Sequence, residues 1–159
     1  MDKLLNILSE NARLTNAQLA TMLDTTEEEV AKKIAKLERE GVICGYPAVI
    51  DWDKVSTTEK VIAFIELKVT PRADSGFEEI AAEIMAMDEV EAVYLMSGSF
   101  DLTVYVTGKT FQEVAMFVAK RLSPMESVVS TSTNFVLKKY KDRGTCMNVP
   151  TDERSFCFD

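Results

Sequence analysis

The stretch LDTTEEEVAKKIAKLEREGVICGY, residues 23–46, has a start, a middle and a stop that all point to one element. Thr26 and Glu29 stand at capping-box spacing, where each side chain satisfies a backbone N–H that a helix start leaves open. Val30, Ile34 and Leu37 follow at four- and three-residue spacing and form one apolar stripe. Gly41 is the expected stop, because glycine takes the left-handed conformation that closes a helix. The stretch therefore predicts a helix over residues 27–40, preceded by a turn at Asp24 and Thr25. Its first turn carries Glu27, Glu28 and Glu29, which complement the helix dipole.

Towards the N-terminus, Leu4, Leu5, Ile7 and Leu8 are spaced like a short one-sided helix over residues 2–9, which ENAR (10–13) interrupts. Thr15 is placed to cap a second short helix, NAQLATML (16–23), that buries Leu19, Ala20 and Leu23. Three helices with a short turn between the last two make a helix-turn-helix unit. After Gly41, VICGYPAVID (42–51) reads as extended chain with a turn, a candidate wing. WDKVSTTEK (52–60) is polar and without periodicity, and reads as a linker.

Beyond the linker the rhythm changes. VIAFIELKV (61–69) is a buried strand of β-branched and aromatic residues. Ser75 and Glu78 form a capping box for a helix whose apolar face is Phe77, Ile80, Ala81 and Ile84. VEAVYLMS (90–97) and DLTVYVTG (101–108) are strands joined by a Gly98–Ser99–Phe100 turn. Thr110 and Glu113 cap a second helix with Phe111, Val114, Phe117, Val118 and Leu122 on its apolar face. VVSTSTNFVLKKY (128–140) is the last strand. The order β-α-β-β-α-β is ferredoxin-like, an antiparallel sheet with both helices on one face. The expected fold class is therefore α+β: a winged helix-turn-helix domain over 1–50, a linker over 51–60, a ferredoxin-like domain over 61–141 and a tail over 142–159. The second sheet face carries Phe64, Tyr94, Met96, Tyr105 or their neighbours. Homodimerisation through it is the economical arrangement.

Composition bounds the function. The 159 residues are 47% hydrophobic and 28% charged, enough for a core and for solubility. No apolar run approaches the ~20 residues that span a bilayer, and no signal-type stretch opens the chain, so a cytoplasmic protein without a membrane partner is expected. Cys44, Cys146 and Cys157 have no metal or redox spacing and read as three reduced thiols, with neither metal nor cofactor implied. The absence of histidine removes the commonest general base and metal ligand, and no nucleophile motif or phosphate-binding glycine loop is present. No catalytic residue is assigned. The net charge of -8 runs against the basic footprint of a nucleic-acid binder.

In order, these pieces resemble the Lrp/AsnC (feast/famine) transcription regulators. LSENARLTNAQLATML (8–23) is similar to the family's first two helices, and VAKKIAKLEREGVICGYPAVID (30–51) to its recognition helix and following strand. SGSFDLTVYV (97–106) carries the family's Gly-x-x-Asp turn as Gly98 and Asp101, and STSTNFVLKKYK (130–141) is similar to its last strand. The resemblance implies a cytoplasmic regulator that binds double-stranded DNA through its first domain and dimerises through its second, in this family often as octamers. It also implies a small effector, typically an amino acid, bound near the Gly-x-x-Asp turn at subunit contacts.

Each site has a plain alternative. On the third helix, Thr25, Thr26, Lys32, Lys33 and Lys36 are the candidate DNA contacts. The plain alternative is a solvated face steadied by Glu28–Lys32, Glu29–Lys33 and Glu29–Lys32 pairs of ~0.2–0.5 kcal/mol each. Residues 27–40 hold four basic against five acidic side chains, and residues 1–50 six against eight, so DNA binding should be weak per subunit and need several together. In the second domain, Ser97, Gly98, Ser99, Asp101, Thr131 and Thr133 are the candidate effector contacts, with Ser130 and Ser132 weaker ones. Backbone N–H groups and hydroxyls would grip a carboxylate, and Asp101 an ammonium. The plain alternative is a hairpin in which Gly98 supplies a positive φ and Asp101 bonds the turn backbone. A sensor that has lost specific DNA binding and keeps the helix-turn-helix as a protein-interaction module is the competing function.

Overall fold

Asp2 opens the first helix, α1 (Lys3–Glu10), by accepting the Leu4 N–H at 3.0 Å. The computed structural model describes residues 2–55, 60–71 and 76–147. Reciprocal capping boxes start the next two helices, Thr15 with Gln18 at α2 (Asn16–Leu23) and Thr26 with Glu29 at α3 (Glu27–Arg39). Between them Asp24 takes the left-handed conformation at φ 52°, which closes α2 and makes the turn. Gly41, at φ 71°, closes α3: its N–H reaches the Glu38 carbonyl at 3.0 Å and the Val42 N–H reaches Leu37 at 2.9 Å. Those two bonds satisfy carbonyls that the helix end would leave open. Leu4, Leu19, Ala20 and Val30 form the core of this unit, flanked by Ile7, Leu8, Leu14, Leu23, Ile34 and Leu37. Residues 44–50 carry no regular secondary structure, and Trp52–Lys54 make one 3₁₀ turn. The remainder of the expected linker, 56–59, lies outside the described residues.

The chain divides into two compact units between Ala48 and Val49. In the second, β1 (Val61–Val69), β2 (Val90–Leu95), β3 (Leu102–Gly108) and β4 (Val128–Phe135) form one antiparallel sheet in the order β2-β3-β1-β4. Alternation aims Ala63, Ile65, Leu67 and Val69 of β1, with Leu102, Val104 and Val106 of β3, at the helices. Ile80 and Ile84 of α4 (Glu78–Met85), Val114 and Phe117 of α5 (Phe111–Phe117), and Val118 and Leu122 beyond it complete this core. Gly108 lets α5 pack tightly, since a Cβ there would stand 2.9 Å from Val114 Cγ2. On the other face Phe64 and Tyr105 meet edge-on at 5.1 Å, and Phe64, Tyr94 and Met96 are exposed.

Some expectations are corrected. The last strand ends at Phe135, not Tyr140. The Val136 N–H still reaches Ile62 at 2.9 Å, but β1 begins at Val61 and offers little more backbone to pair with. A short hairpin follows instead, β5 (Lys141–Asp142) with β6 (Thr145–Cys146), turning at Arg143 and Gly144. The helix after Thr110 does not stay α-helical: Ser123 N–H bonds the Val118 carbonyl at 2.8 Å, five residues back, so Val118–Leu122 form a π turn. The Thr110 hydroxyl accepts the Glu113 N–H at 3.0 Å, while the Glu113 carboxylate takes Lys109 N–H at 2.6 Å rather than that of the cap. The Ser75–Glu78 box rests on Ser75, outside the described residues. Cys44 is free and exposed, but Cys146 is disulfide-bonded, so the three cysteines are not all reduced. Spacing had argued against a framework of bridges, not against a single bond.

Leu102, fully buried between β2 and β1, tests this core. Leu102→Ala should cost about 2–5 kcal/mol, read as an earlier urea midpoint in the fluorescence of Trp52, the only tryptophan. An unchanged midpoint would contradict the packing described.

Candidate DNA interface and effector turn

Along α3 only Val30, Ile34 and Leu37 turn away from solvent, which leaves its polar side fully presented. Each candidate lysine on that side already has a carboxylate. Lys32 Nζ lies 2.6 Å from Glu28, and Lys36 3.8 Å from Glu40, both one turn away on the same helix. Lys33 behaves differently. It reaches across to α1 and grips both oxygens of Asp2, at 2.8 and 2.9 Å. Asp2 thereby both caps α1 and ties it to α3, and the bond from Lys33, then that from the Leu4 N–H, holds its carboxyl below the usual carboxylate range.

Thr25 and Thr26 are likewise engaged. The Thr25 hydroxyl donates to the Glu29 carboxylate, and Thr26 Oγ1 accepts the Glu29 N–H at 3.2 Å. The Thr25 bond first, then that from the Thr26 N–H, pulls the Glu29 carboxyl down. Of the expected pairs only Glu28–Lys32 forms as an ion pair, because Glu29 is spent on the cap and Lys33 on Asp2. Lys32, Lys36 and Arg39, at four- and three-residue spacing, remain as the exposed basic stripe of the helix.

In the second unit, Ser97, Gly98, Ser99 and Asp101 come together in the β2–β3 turn. Asp101 works harder than a hairpin residue. Its N–H bonds Leu67 at 3.0 Å, its carbonyl accepts from Met96 at 2.8 Å, and its carboxylate accepts the Val69 N–H at 2.9 Å. The last bond falls where the β1–β4 register shifts between Lys68 and Val69, so Asp101 satisfies a backbone donor beside the irregularity in that ladder. Gly98 is not among the positive-φ glycines, so that part of the hairpin expectation fails. A Cβ at Gly98 would meet nothing within 4 Å, which leaves the backbone of the turn approachable.

The register separates the other hydroxyls. Thr131 pairs with Leu67 and Thr133 with Ile65, on the helix side of the edge strand and across β1 from β3. They are not brought to the turn. Ser130 and Ser132 pair with Lys68 and Glu66 on the open side. Lys68, overlooked in the sequence reading, donates to the Ser99 carbonyl at 3.4 Å. The available signal was the one cation of a mostly apolar strand, at an outward position. Among the described residues no group of three His, Cys, Asp or Glu side chains is placed to hold a metal.

Comparison with known proteins matches the description "Lrp/AsnC ligand binding domain" over residues 62–146 and "Winged helix-turn-helix DNA-binding" over residues 3–43. The HTH-type transcriptional regulator YugG of Bacillus subtilis is 46% identical over 152 residues, covering 96% of this chain and 92% of its own. The leucine-responsive regulatory protein of Haemophilus influenzae is 27% identical over 139 residues, covering 87% of this chain and 82% of its own. A Neisseria meningitidis transcriptional regulator, solved as its complex with L-methionine, superposes with a TM-score of 0.71 at 25% identity, over 94% of this chain and 96% of that one.

Two outcomes check the geometry. Asp101→Ala should lower stability by about 1–3 kcal/mol by orphaning the Val69 N–H, whereas Asp101→Asn keeps an acceptor and should cost much less in the same urea titration. The lowered carboxyls of Asp2 and Glu29 contribute stability that is complete above the ordinary carboxylate range. That contribution is lost as pH falls through their lowered folded-state values. Helix loss on acidification, followed by circular dichroism, should therefore flatten in Asp2→Asn.

Proposed function

The chain belongs to the Lrp/AsnC family of transcriptional regulators, and on that premise we propose how it divides DNA reading from effector sensing. It is a DNA-binding regulator with a ligand-binding domain. We assign DNA contact to Lys32 and Lys36, with Thr25, Thr26 and Lys33 alongside, and sensing to the domain over 61–141. The observation that carries the DNA assignment is α3 itself, a capped helix of a helix-turn-helix whose polar side is wholly exposed. Its pairs within one helix are of the ~0.2–0.5 kcal/mol kind, so a phosphate displaces Glu28 or Glu40 at small cost. Glu27–Glu29 serve the helix end and limit affinity per subunit. That favours oligomers, a homodimer through the open sheet face and then an octamer, in which several weak contacts act together.

The effector in this reading is an amino acid bound at subunit contacts around Ser97, Gly98, Ser99 and Asp101. The L-methionine held by the Neisseria relative supports the class. The uncrowded backbone at Gly98 supports the place. Thr131 and Thr133 of the same protomer stand behind β1, so contact with them would have to come from a neighbouring protomer. A second reading, a sensor that no longer binds specific DNA, draws on the full pairing of the three lysines.

The chain should bind its own upstream DNA with a steep salt dependence, the slope falling by ~1 for each lysine per subunit that is removed. Lys32→Glu with Lys33→Glu should abolish the mobility shift. Binding untouched by that double change would remove α3 from the interface, and failure to bind any genomic fragment at low salt would favour the second reading. For the effector, a thermal-shift screen of the twenty amino acids should find one that raises the melting temperature. Asp101→Asn should lose that response while remaining folded.

A further inference from the structure

Much of the positive charge in this chain is already committed. Lys32, Lys33, Lys36, Lys60, Arg121 and Lys139 each pair with a carboxylate. Residues 138–143, KKYKDR, stand apart, with four basic side chains against one acidic in a chain of net charge -8. Lys139 and Asp142 satisfy each other at 2.8 Å. That leaves Lys138, Lys141 and Arg143, all exposed and without a carboxylate partner among the described residues.

The hairpin that carries them is firmly mounted. β5 and β6 pair Lys141 with Cys146 and Asp142 with Thr145. The Met147 N–H bonds the Tyr140 carbonyl at 2.8 Å, and the Met147 side chain is buried. Lys139 Nζ donates to the Asp142 carboxylate at 2.8 Å and to the Tyr105 hydroxyl at 3.3 Å, which ties the base of the hairpin to β3. The tip is Arg143 at φ 46° followed by Gly144 at φ 82°. Two successive left-handed residues favour Asn-Gly, so the arginine stands against the backbone preference. Lys138 Nζ lies 5.0 Å from the ring centroid of Tyr140, which is 74% exposed. Packing within the unit accounts for neither the arginine at the tip nor the tyrosine left in solvent.

We propose that this hairpin is a second DNA contact, carried by the second unit, and that it binds the phosphates of a duplex without reading its sequence. Lys138, Lys141 and Arg143 neutralise phosphates, and the Tyr140 hydroxyl donates to a phosphate oxygen. Lysine acts here as a point charge, which suits a phosphate and carries little information about bases. Residues 27–40 of the helix-turn-helix hold four basic against five acidic side chains, so the hairpin is the more cationic of the two segments. Duplex DNA is favoured over other polyanions because the winged helix-turn-helix match over residues 3–43 makes it the polyanion this chain meets. The proposal rests on the chain being a DNA-binding regulator and is independent of which α3 residues touch the duplex.

Full-length protein is titrated onto its own upstream duplex and onto a shuffled duplex of the same length, by fluorescence anisotropy across a series of salt concentrations. Lys141→Gln with Arg143→Asn should weaken binding to both duplexes about tenfold and lower the salt slope by ~1 for each cation removed per engaged subunit. Asparagine accepts the left-handed turn, so the melting temperature should hold. The charge-matched change Lys109→Gln with Lys120→Gln, at exposed cations flanking α5, should leave affinity and slope as in the wild type. In the wild-type chain, acetylation followed by mass spectrometry should slow at Lys138 and Lys141 when either duplex is added, and not at Lys109 or Lys120. Binding unchanged in the hairpin variant, a loss equal to that of the charge-matched change, or a loss on the upstream duplex alone overturns the proposal. So do hairpin lysines that acetylate equally fast with and without DNA. Slowing with protein concentration alone, which would make the hairpin a contact between copies, also overturns it, as does slowing by phosphatidylglycerol vesicles and not by DNA. If Lys32→Glu with Lys33→Glu leaves binding intact while the hairpin variant weakens it, α3 falls and the hairpin stands. The converse pattern sinks the hairpin and leaves α3.

Discussion

The alternation of β1 from Ala63 to Val69 is the constraint on which the rest of the second unit depends. Ala63, Ile65, Leu67 and Val69 supply the buried half of a strand that is paired on both sides, with β3 and with β4. A one-residue slip would send that whole set to the open face and bring Phe64, Glu66 and Lys68 into the core. The Asp101 carboxylate on the Val69 N–H stands at the one place where the β1–β4 register does shift. A residue that the family resemblance marks for effector binding is thus also part of the scaffold. Any ligand at the turn acts on a group that already anchors two strands.

The first unit solves a different problem with little apolar material. Four fully or nearly buried side chains form its centre, so helix ends carry an unusual share of its definition. Asp2, Thr15, Thr26 and Gly41 each satisfy backbone groups that a short helix cannot satisfy internally. Lys33 adds a tie between α3 and α1. The acidic first turn of α3 fits this economy: Glu29 is committed to the cap and Glu28 to Lys32. What remains on the polar side of α3 is a narrow basic stripe in a chain of net charge -8.

Both halves of the fold were legible because their signals are local. Capping boxes span four residues, the apolar stripe of α3 repeats within two turns, and β1 and β3 declare themselves by composition. Legibility failed where a decision needed a partner far along the chain. Thr131 and Thr133 looked equivalent to Ser130 and Ser132 in a run of hydroxyls, and only the pairing with Leu67 and Ile65 assigns them to the helix side. Lys33 looked like Lys32, yet its partner is Asp2, 31 residues away. The π turn over Val118–Leu122 left no mark in the spacing, since Val114, Phe117, Val118 and Leu122 fit an α-helical face equally well.

By itself the sequence determined the order of elements, the positions of most caps and stops, the family resemblance and the scarcity of positive charge. All of these follow from residue type and short-range spacing. The tertiary structure decided which of two equal-looking side chains faces the core, which carboxylate each paired lysine holds, and that Glu89 and Arg121, 32 residues apart, meet as an ion pair. Those outcomes depend on strand register and on distances between elements. Neither is carried by a local pattern, because register parity and ion-pair geometry exist only once the separate elements have packed.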